Sequence, residues 1–390
     1  MATSASMAFL PFHRTLMEQE EIEAALEVLQ SGWLTSGPKV AEFEEEFAAY
    51  TGAKHAIAVN SCTAALHLAL AAIGITRDDE VIVPTMTFAA SGEVVLYFGA
   101  RPILVDCGRD SFHADVEKIA RAITSRTRAI LPVHYAGESC EMEEILQLAH
   151  QHGLNVIEDA AHALPTRYNG KMVGTLGDLT CFSFYATKTI TTGEGGMITT
   201  QNREHAARMK SLSLHGISRD AWNRYSVKGS WRYQILEAGY KYNLTDIQAA
   251  IGLAQLRKCE RLRTQRAALA ESYTAALAPL EAFQTPPVRN ASEHAWHLYV
   301  IQVNPRVLSI DRDQVIEELK LRGIGSSVHF IPLHLHPLYQ RRLGYRRGDF
   351  PEAEKRFEQA VSLPLFSSMS QGENLRVIEA LYDIAGRFKR

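Results

Sequence analysis

An α/β fold built on a largely parallel sheet with helices on both faces is predicted by three observations. Short apolar runs alternate with amphipathic stretches, Gly and Pro punctuate the ends of those stretches, and 390 residues with 46% hydrophobic content can bury a large core. That length exceeds the usual span of one domain, so two are expected. Residues 1–255 would carry the large sheet with its N-terminal helices, and 256–390 a smaller C-terminal α/β domain.

In chain order, two helical patterns come first. Between about residues 18 and 52, EQEEIEAALEVLQSG stops at Gly32, and PKVAEFEEEFAAYTG opens with Pro38 and stops at Gly52. HAIAV, EVIVP, RPILVD, RAILPV and LNVIED then read as buried strands, with CTAALHLALAAI and EMEEILQLAHQHG as helices between several of them. LTCFSFY and GGMITTQ read as two further strands bracketing TTGEGG. A helix is expected near 203–214, then a polar stretch rich in Trp and Tyr up to Asn243. Thr245 and Gln248 have capping-box spacing, and the apolar periodicity predicts a helix continuing to about Leu277, long enough to bridge two domains. The remainder reads as strand AWHLYVIQV, helix DRDQVIEELKLRG, strand SSVHF and two closing helices.

A formal net charge of −3, from 41 basic and 44 acidic residues, gives no broad attraction for nucleic acid or anionic lipid. The longest nearly apolar run, Ala64 to Ile75, is too short to span a membrane and carries His67. The start MATSASMAFLPFHRT lacks the features of a secretion signal. Cys62, Cys107, Cys140, Cys181 and Cys259 are odd in number, scattered and free of C-x-x-C spacing, which reads as reduced thiols. A cytoplasmic location is expected.

Ligands of an open parallel sheet sit at the carboxyl ends of its strands, and three places there carry chemistry. Asn60-Ser61-Cys62-Thr63-Ala64, between a strand and a helix, can present free N–H groups to a phosphate, or be a plain helix cap. It lacks the G-x-G-x-x-G of a dinucleotide site. Glu158-Asp159-Ala160-Ala161-His162 can hold a protonated heterocycle or a metal, or be an acidic cap with a surface histidine. Ser183-Phe184-Tyr185-Ala186-Thr187-Lys188 leads into TTGEGG, a setting that suits an amine approaching a cofactor, although a glycine-rich turn is often only a turn. GEGG also fails the P-loop spacing. An anion cradle, a carboxylate for a ring nitrogen and a Schiff-base lysine are together the parts that pyridoxal 5'-phosphate (PLP) requires.

Those motifs, with GWLTSGPKV, DEVIVPTMTF, PVHYAG, GYKYNLTDIQAAIGLAQL, HAWHLYVI, RGIGSSVHF and SLPLF, make nearly the whole chain resemble the sugar aminotransferases of PLP fold type I, the DegT/DnrJ/EryC1/StrS family. Within it the chain looks most similar to enzymes that aminate C4 of UDP-linked sugars, such as the UDP-4-amino-4-deoxy-arabinose aminotransferases. The resemblance implies an aspartate-aminotransferase-like fold in which Lys188 is the Schiff-base lysine, Asp159 pairs with the pyridine nitrogen and His162 approaches the phenolic oxygen. It further implies Phe88 stacked on the ring, Cys62, Thr63 and Ser183 at the phosphate, and Asn243 supplied to that phosphate by the neighbouring subunit of a homodimer. His329 and Phe330 are implied near the sugar.

Three positions depart from the family's pattern. Cys62 stands where Gly or Ala is frequent, Tyr185 where His or Phe is frequent, and Pro165 where Gly is common; none removes a catalytic part. The implied reaction carries an amino group from glutamate to a nucleotide-linked keto sugar. Alternatives are amination at C3, a dTDP-linked substrate, another PLP activity such as dehydration, which Lys188 argues against, or a PLP-binding regulator without turnover. His329, His334 and His336 match no standard metal spacing, so no metal is expected. The aromatic cluster from Trp222 to Tyr242 could stack a nucleotide base or serve as core or interface.

Overall fold

The computed structural model describes residues 8–218, 233–291 and 293–390. Two helices, α1 (Gln19–Ser31) and α2 (Pro38–Thr51), precede the first strand, and both end on a left-handed glycine, Gly32 and Gly52. The main sheet then takes β1 (His55–Val59), β2 (Glu80–Pro84), β3 (Arg101–Val105), β4 (Thr127–Ile130) and β5 (Asn155–Asp159). The short hairpin β6 (Arg167–Tyr168) and β7 (Lys171–Met172) stands apart, and β8 (Leu179–Ser183) and β9 (Gly196–Thr200) complete the main sheet. Its order is β1-β9-β8-β5-β4-β2-β3. Every neighbouring pair is parallel except those made by β9, which runs antiparallel between β1 and β8.

Alternation along the strands builds a core on each face. Val59, Val81, Ile157 and Ile198 pack with helices α3 (Cys62–Ala72), α4 (Ala89–Tyr97) and α7 (Arg203–Leu212). Ile82, Val105, Ile130 and Val156 face the other way, toward α5 (Val116–Ala122) and α6 (Met142–His152), and Ala58, Phe182 and Met197 meet α2 and α8 (Asp246–Arg257). A third core surrounds α9 (Cys259–Leu277) and a second sheet, whose order is β10 (Phe283–Gln284), β11 (Tyr299–Val303), β12 (Ala360–Leu363). The remaining helices are α10 (Arg312–Leu321), α11 (Pro337–Leu343), α12 (Pro351–Gln359) and α13 (Gln371–Arg387). Among the described residues no helix is long and apolar enough to cross a membrane.

Three local expectations are corrected. The helix predicted from Thr245 to Leu277 is broken at Lys258, whose backbone leaves the helical region. Tertiary bonds gather at the break: Lys258 Nζ meets Glu18 at 2.7 Å and Glu21 at 2.5 Å, and Gln255 Nε2 donates to the Leu16 carbonyl. The segment SSVHF forms no strand beyond the Ser327 bridge to Ser362, because the following residues turn inward to lay His329 and Phe330 over the main-sheet edge. The partner of β11 is instead Ala360–Leu363, and three helices, not two, follow the Ser327 bridge.

Candidate active site

The topology brings the three chemistry-bearing segments to one edge. β5 and β8 are parallel neighbours, with Asp159 opposite Cys181, so their carboxyl ends lie side by side. β9 begins at Gly196, which is paired with Ser183 on one flank and Val59 on the other. The turn after β8, the end of β5 and the start of α3 therefore share one row. Gly196 is required there: a Cβ would stand 2.6 Å from the Ser61 carbonyl carbon and oxygen and 2.7 Å from the Cys62 nitrogen. The absence of a side chain lets the strand touch the start of α3. Ser61 caps that helix by accepting from the Ala64 N–H at 3.1 Å, leaving the Cys62 and Thr63 N–H groups without a partner among the described residues. Ser183 is buried beside them, and its Oγ accepts from the Tyr185 N–H at 3.3 Å. The Cys62 thiol lies 3.6 Å from the Cys181 carbonyl, and burial pushes its pKa well up, so it is a thiol and not a thiolate.

Adjacent carboxylates at the end of β5 point to opposite faces. Glu158 is enclosed in the core, where it accepts from His134 Nε2 at 2.8 Å, the Gly177 N–H at 2.8 Å and Thr180 Oγ1 at 2.6 Å. Asp159 faces the site: Oδ2 accepts from Ser91 Oγ at 2.7 Å, and Oδ1 from the Ala161 N–H at 3.1 Å. Ser91 is itself linked to Thr87 Oγ1 at 2.7 Å. Burial pushes the Asp159 carboxyl up, opposed by the Ser91 and Ala161 hydrogen bonds and the Lys188 charge. Lys188 sits in the turn after β8, its N–H bonded to the Tyr185 carbonyl at 2.9 Å. Burial lowers its amine pKa to about 8, against the opposing pull of the Asp159 carboxylate.

Aromatic groups wall the site. Phe88, the residue before α4, is 61% exposed, and its ring meets Phe330 at 5.8 Å. Phe330 also stacks on His162 at 5.7 Å. The Ala136 N–H donates to His162 Nδ1 at 3.3 Å, which leaves the proton on Nε2, and burial holds this histidine well below its ordinary pKa. Tyr135 Oη donates to the His329 carbonyl, and His329 Nδ1 lies 2.8 Å from Ser362 Oγ.

Lys188, Asp159, His162, Phe88, Ser183, Cys62, Thr63, His329 and Phe330 are thus gathered around one space. Asn243 is held near the end of β1, bridged to Val59, with Nδ2 donating to Ser36 Oγ at 2.8 Å. It makes no hydrogen bond to the Lys188 cluster. The donor set fits PLP: unpartnered N–H groups and a serine for a phosphate, an exposed aromatic face for a flat ring, a buried carboxylate for a ring nitrogen, and a primary amine of lowered pKa. Sequence reading missed Ser91, Thr87 and Tyr135, which have ordinary signatures of a helix face and a loop, and His297, whose ring lies 4.3 Å from that of His162.

The histidines after 328 do not converge. His334 is bonded to Thr85 Oγ1 at 2.8 Å and to the carboxylate of Glu354 at 2.9 Å, both buried structural partners. Of the aromatic cluster, Tyr240 and Tyr242 stack on each other at 5.0 Å and surround the buried His67, while Trp222, Tyr225 and Trp231 lie outside the described residues.

Comparison with known proteins meets this geometry. The family model of the DegT/DnrJ/EryC1/StrS aminotransferases matches residues 15–382. The chain is 49% identical over 377 residues to the spore coat polysaccharide biosynthesis protein SpsC of Bacillus subtilis, covering 96% of this chain and 97% of that one. Among solved structures, Spr1654 of Streptococcus pneumoniae, described as a candidate sugar aminotransferase, superposes in its pyridoxamine-phosphate form with a TM-score of 0.91 at 33% identity, covering 97% and 98% of the two chains. A PLP form is similar, with a TM-score of 0.90. PseC of Helicobacter pylori, an aminotransferase in pseudoaminic acid biosynthesis, superposes with a TM-score of 0.90 at 29% identity, covering 97% and 100%. With its fold, its site and this likeness in agreement, the chain belongs to the DegT/DnrJ/EryC1/StrS aminotransferase family, whose members are PLP-dependent sugar aminotransferases.

Proposed function

We propose that the enzyme moves the amino group of L-glutamate onto C4 of a nucleotide-linked 4-keto sugar, with UDP as the nucleotide. The observation that carries transamination is Lys188, a half-buried lysine whose amine pKa is lowered by desolvation to about 8, able to take and return a proton near neutral pH. SpsC and PseC, named for polysaccharide and pseudoaminic acid biosynthesis, support a sugar acceptor. The motif likeness to the UDP-sugar C4 enzymes supports the position and the nucleotide.

In this reading Lys188 would bond the cofactor, Asp159 would face its ring nitrogen, Phe88 its ring and His162 its phenolic oxygen. The Cys62 and Thr63 N–H groups and Ser183 would hold its phosphate, joined by Asn243 of the partner subunit in a homodimer. PLP, when bound, supplies an electron sink and a temporary carrier for the amino group. Asp159 keeps a negative charge on the pyridine side, aided by Ser91, which favours its ionised form. Lys188 Nζ holds the proton removed from the donor carbon and delivers one to the sugar carbon. Phe330 and His329 close the site from the Ser327 side and orient the sugar ring. The same reading divides the chain into a large domain, 1–255, and a small one, 256–390, with the sugar bound between them, and places the enzyme in the cytoplasm.

The test is a panel of UDP- and dTDP-linked 4-keto and 3-keto sugars with glutamate, the product position being read by NMR. Conversion of a UDP-4-keto sugar to its 4-amino product is expected. Turnover confined to 3-keto or dTDP-linked substrates would overturn the position or the nucleotide, and PLP binding with no turnover of any of them would favour a regulator.

A further inference from the structure

Beside the turn that carries Lys188 lies a small, partly enclosed cavity whose water-accessible space is about 10 Å³. Arg266, Lys188, His13, Thr191, Gln255 and Ser367 line it, and no acidic residue does. Arg266, on α9, is 1% exposed, yet it makes no ion pair among the described residues. Only Nη1 is engaged, donating to the carbonyls of Leu365 at 2.9 Å, His297 at 3.3 Å and Trp296 at 3.5 Å. Nε is buried without a partner, and Nη2 has none among the described residues.

The carboxylates that pair with residues lining the cavity are committed elsewhere. Glu373 pairs with Arg14 and caps its own helix, and Glu21 is taken by Lys258, Gln255 and the Glu18 N–H. His13 is not a rival cation: it donates through Nε2 to the Ala186 carbonyl, and burial lowers its pKa to about 4. A buried guanidinium with free donors and no counter-charge is costly, and the remedy available to it is an anion from solution.

We propose that this cavity is an anion site, taking one small monovalent anion, a halide or a simple carboxylate, between Arg266 and the Lys188 turn. That space is far below the volume of ordinary ligand pockets and excludes a nucleotide sugar. The bound charge would sit beside the Lys188 turn, fixing Arg266 and, through it, the backbone carbonyl of His297, whose ring backs His162. The site does not depend on which sugar is aminated.

Crystals of the PLP-loaded enzyme grown in sodium bromide test it directly, alongside thermal unfolding at fixed ionic strength in chloride, bromide, formate and gluconate. Expected are an anomalous peak within hydrogen-bonding reach of Arg266 Nε or Nη2, and a Tm about 2 °C or more higher in the small anions than in gluconate, which is too large to enter. A bromide peak with a formate effect equal to chloride assigns both anion types; a halide effect alone assigns the halide. Arg266→Met should abolish the difference, and if that variant fails to fold, Ser367→Val, which places apolar bulk in the cavity without touching Arg266, should abolish it alone. No anomalous density beside Arg266, or one Tm in all four salts, overturns the proposal.

Discussion

Replacing Asp159 by Asn isolates charge from shape. The carboxylate is buried and accepts from Ser91 Oγ at 2.7 Å and the Ala161 N–H at 3.1 Å. An amide keeps an oxygen for Ala161 and turns an NH2 toward Ser91, whose hydroxyl can reverse and donate to Thr87 Oγ1, 2.7 Å away. The variant should therefore fold and load with PLP. In the proposed arrangement it would lose a negative charge against the ring nitrogen, a charge-assisted hydrogen bond of about 1.5–3 kcal/mol. Confined to the transition state, that loss slows the reaction roughly ten- to more than a hundredfold. Stopped-flow absorbance of the half-reaction with glutamate, at measured cofactor content, reads it. A fully loaded Asp159→Asn enzyme reacting within about twofold of wild type would show that Asp159 is not the ring-nitrogen partner.

Lys188→Ala should remove the visible band of the PLP-loaded protein; borohydride fixation of the cofactor on another lysine would refute the assignment. Asn243→Ala should weaken PLP retention in the dimer without changing the fold, and a monomer that held PLP as tightly as the dimer would argue against shared sites. Gly196→Ala drives a methyl into the Ser61 carbonyl and Cys62 nitrogen, and should cost about 1–3 kcal/mol of stability along with most of the PLP affinity, read by denaturant unfolding and cofactor titration. Acid should destabilise the protein through its buried neutral histidines: burial lowers His67 to about 4, and His113 and His294 to about 3. Because the unfolded chain binds those protons first, stability present above pH 6.5 falls as the pH drops toward 4, by up to about 3 kcal/mol for each. A Tm unchanged between pH 6.5 and 5 would contradict this.

The main sheet was legible because its strands are short, continuous and apolar, with HAIAV and EVIVP matching β1 and β2 end to end. The second sheet was less so. Its strand Ala360–Leu363 follows directly on a helix and carries no turn signal before it, and SSVHF has a strand's composition but gives up pairing to reach the site. The break at Lys258 comes from ion pairs with Glu18 and Glu21, more than two hundred positions upstream, which helical periodicity does not encode. The candidate site itself could be read where motifs sit at strand ends, as with Asp159 and Lys188. Ser91 and Arg266 were invisible because their importance lies in what they touch, or fail to touch, across the fold.

The antiparallel strand β9 also sets when the site can exist. Val59 meets Gly196, and Ser183 meets the same glycine from the other flank, so the start of α3 reaches the Lys188 turn only through a strand that arrives well over a hundred residues later in synthesis. Pairings of such long sequence separation close slowly, after local helices and the β2–β3 neighbours have formed. A nascent or refolding chain therefore passes through states that hold Asp159 at the end of its strand but lack the assembled start of α3 beside Ser183 and the Lys188 turn. Cofactor capture is a late event for this molecule, and added PLP should rescue refolding yield by trapping finished sheets while leaving the early collapse rate untouched.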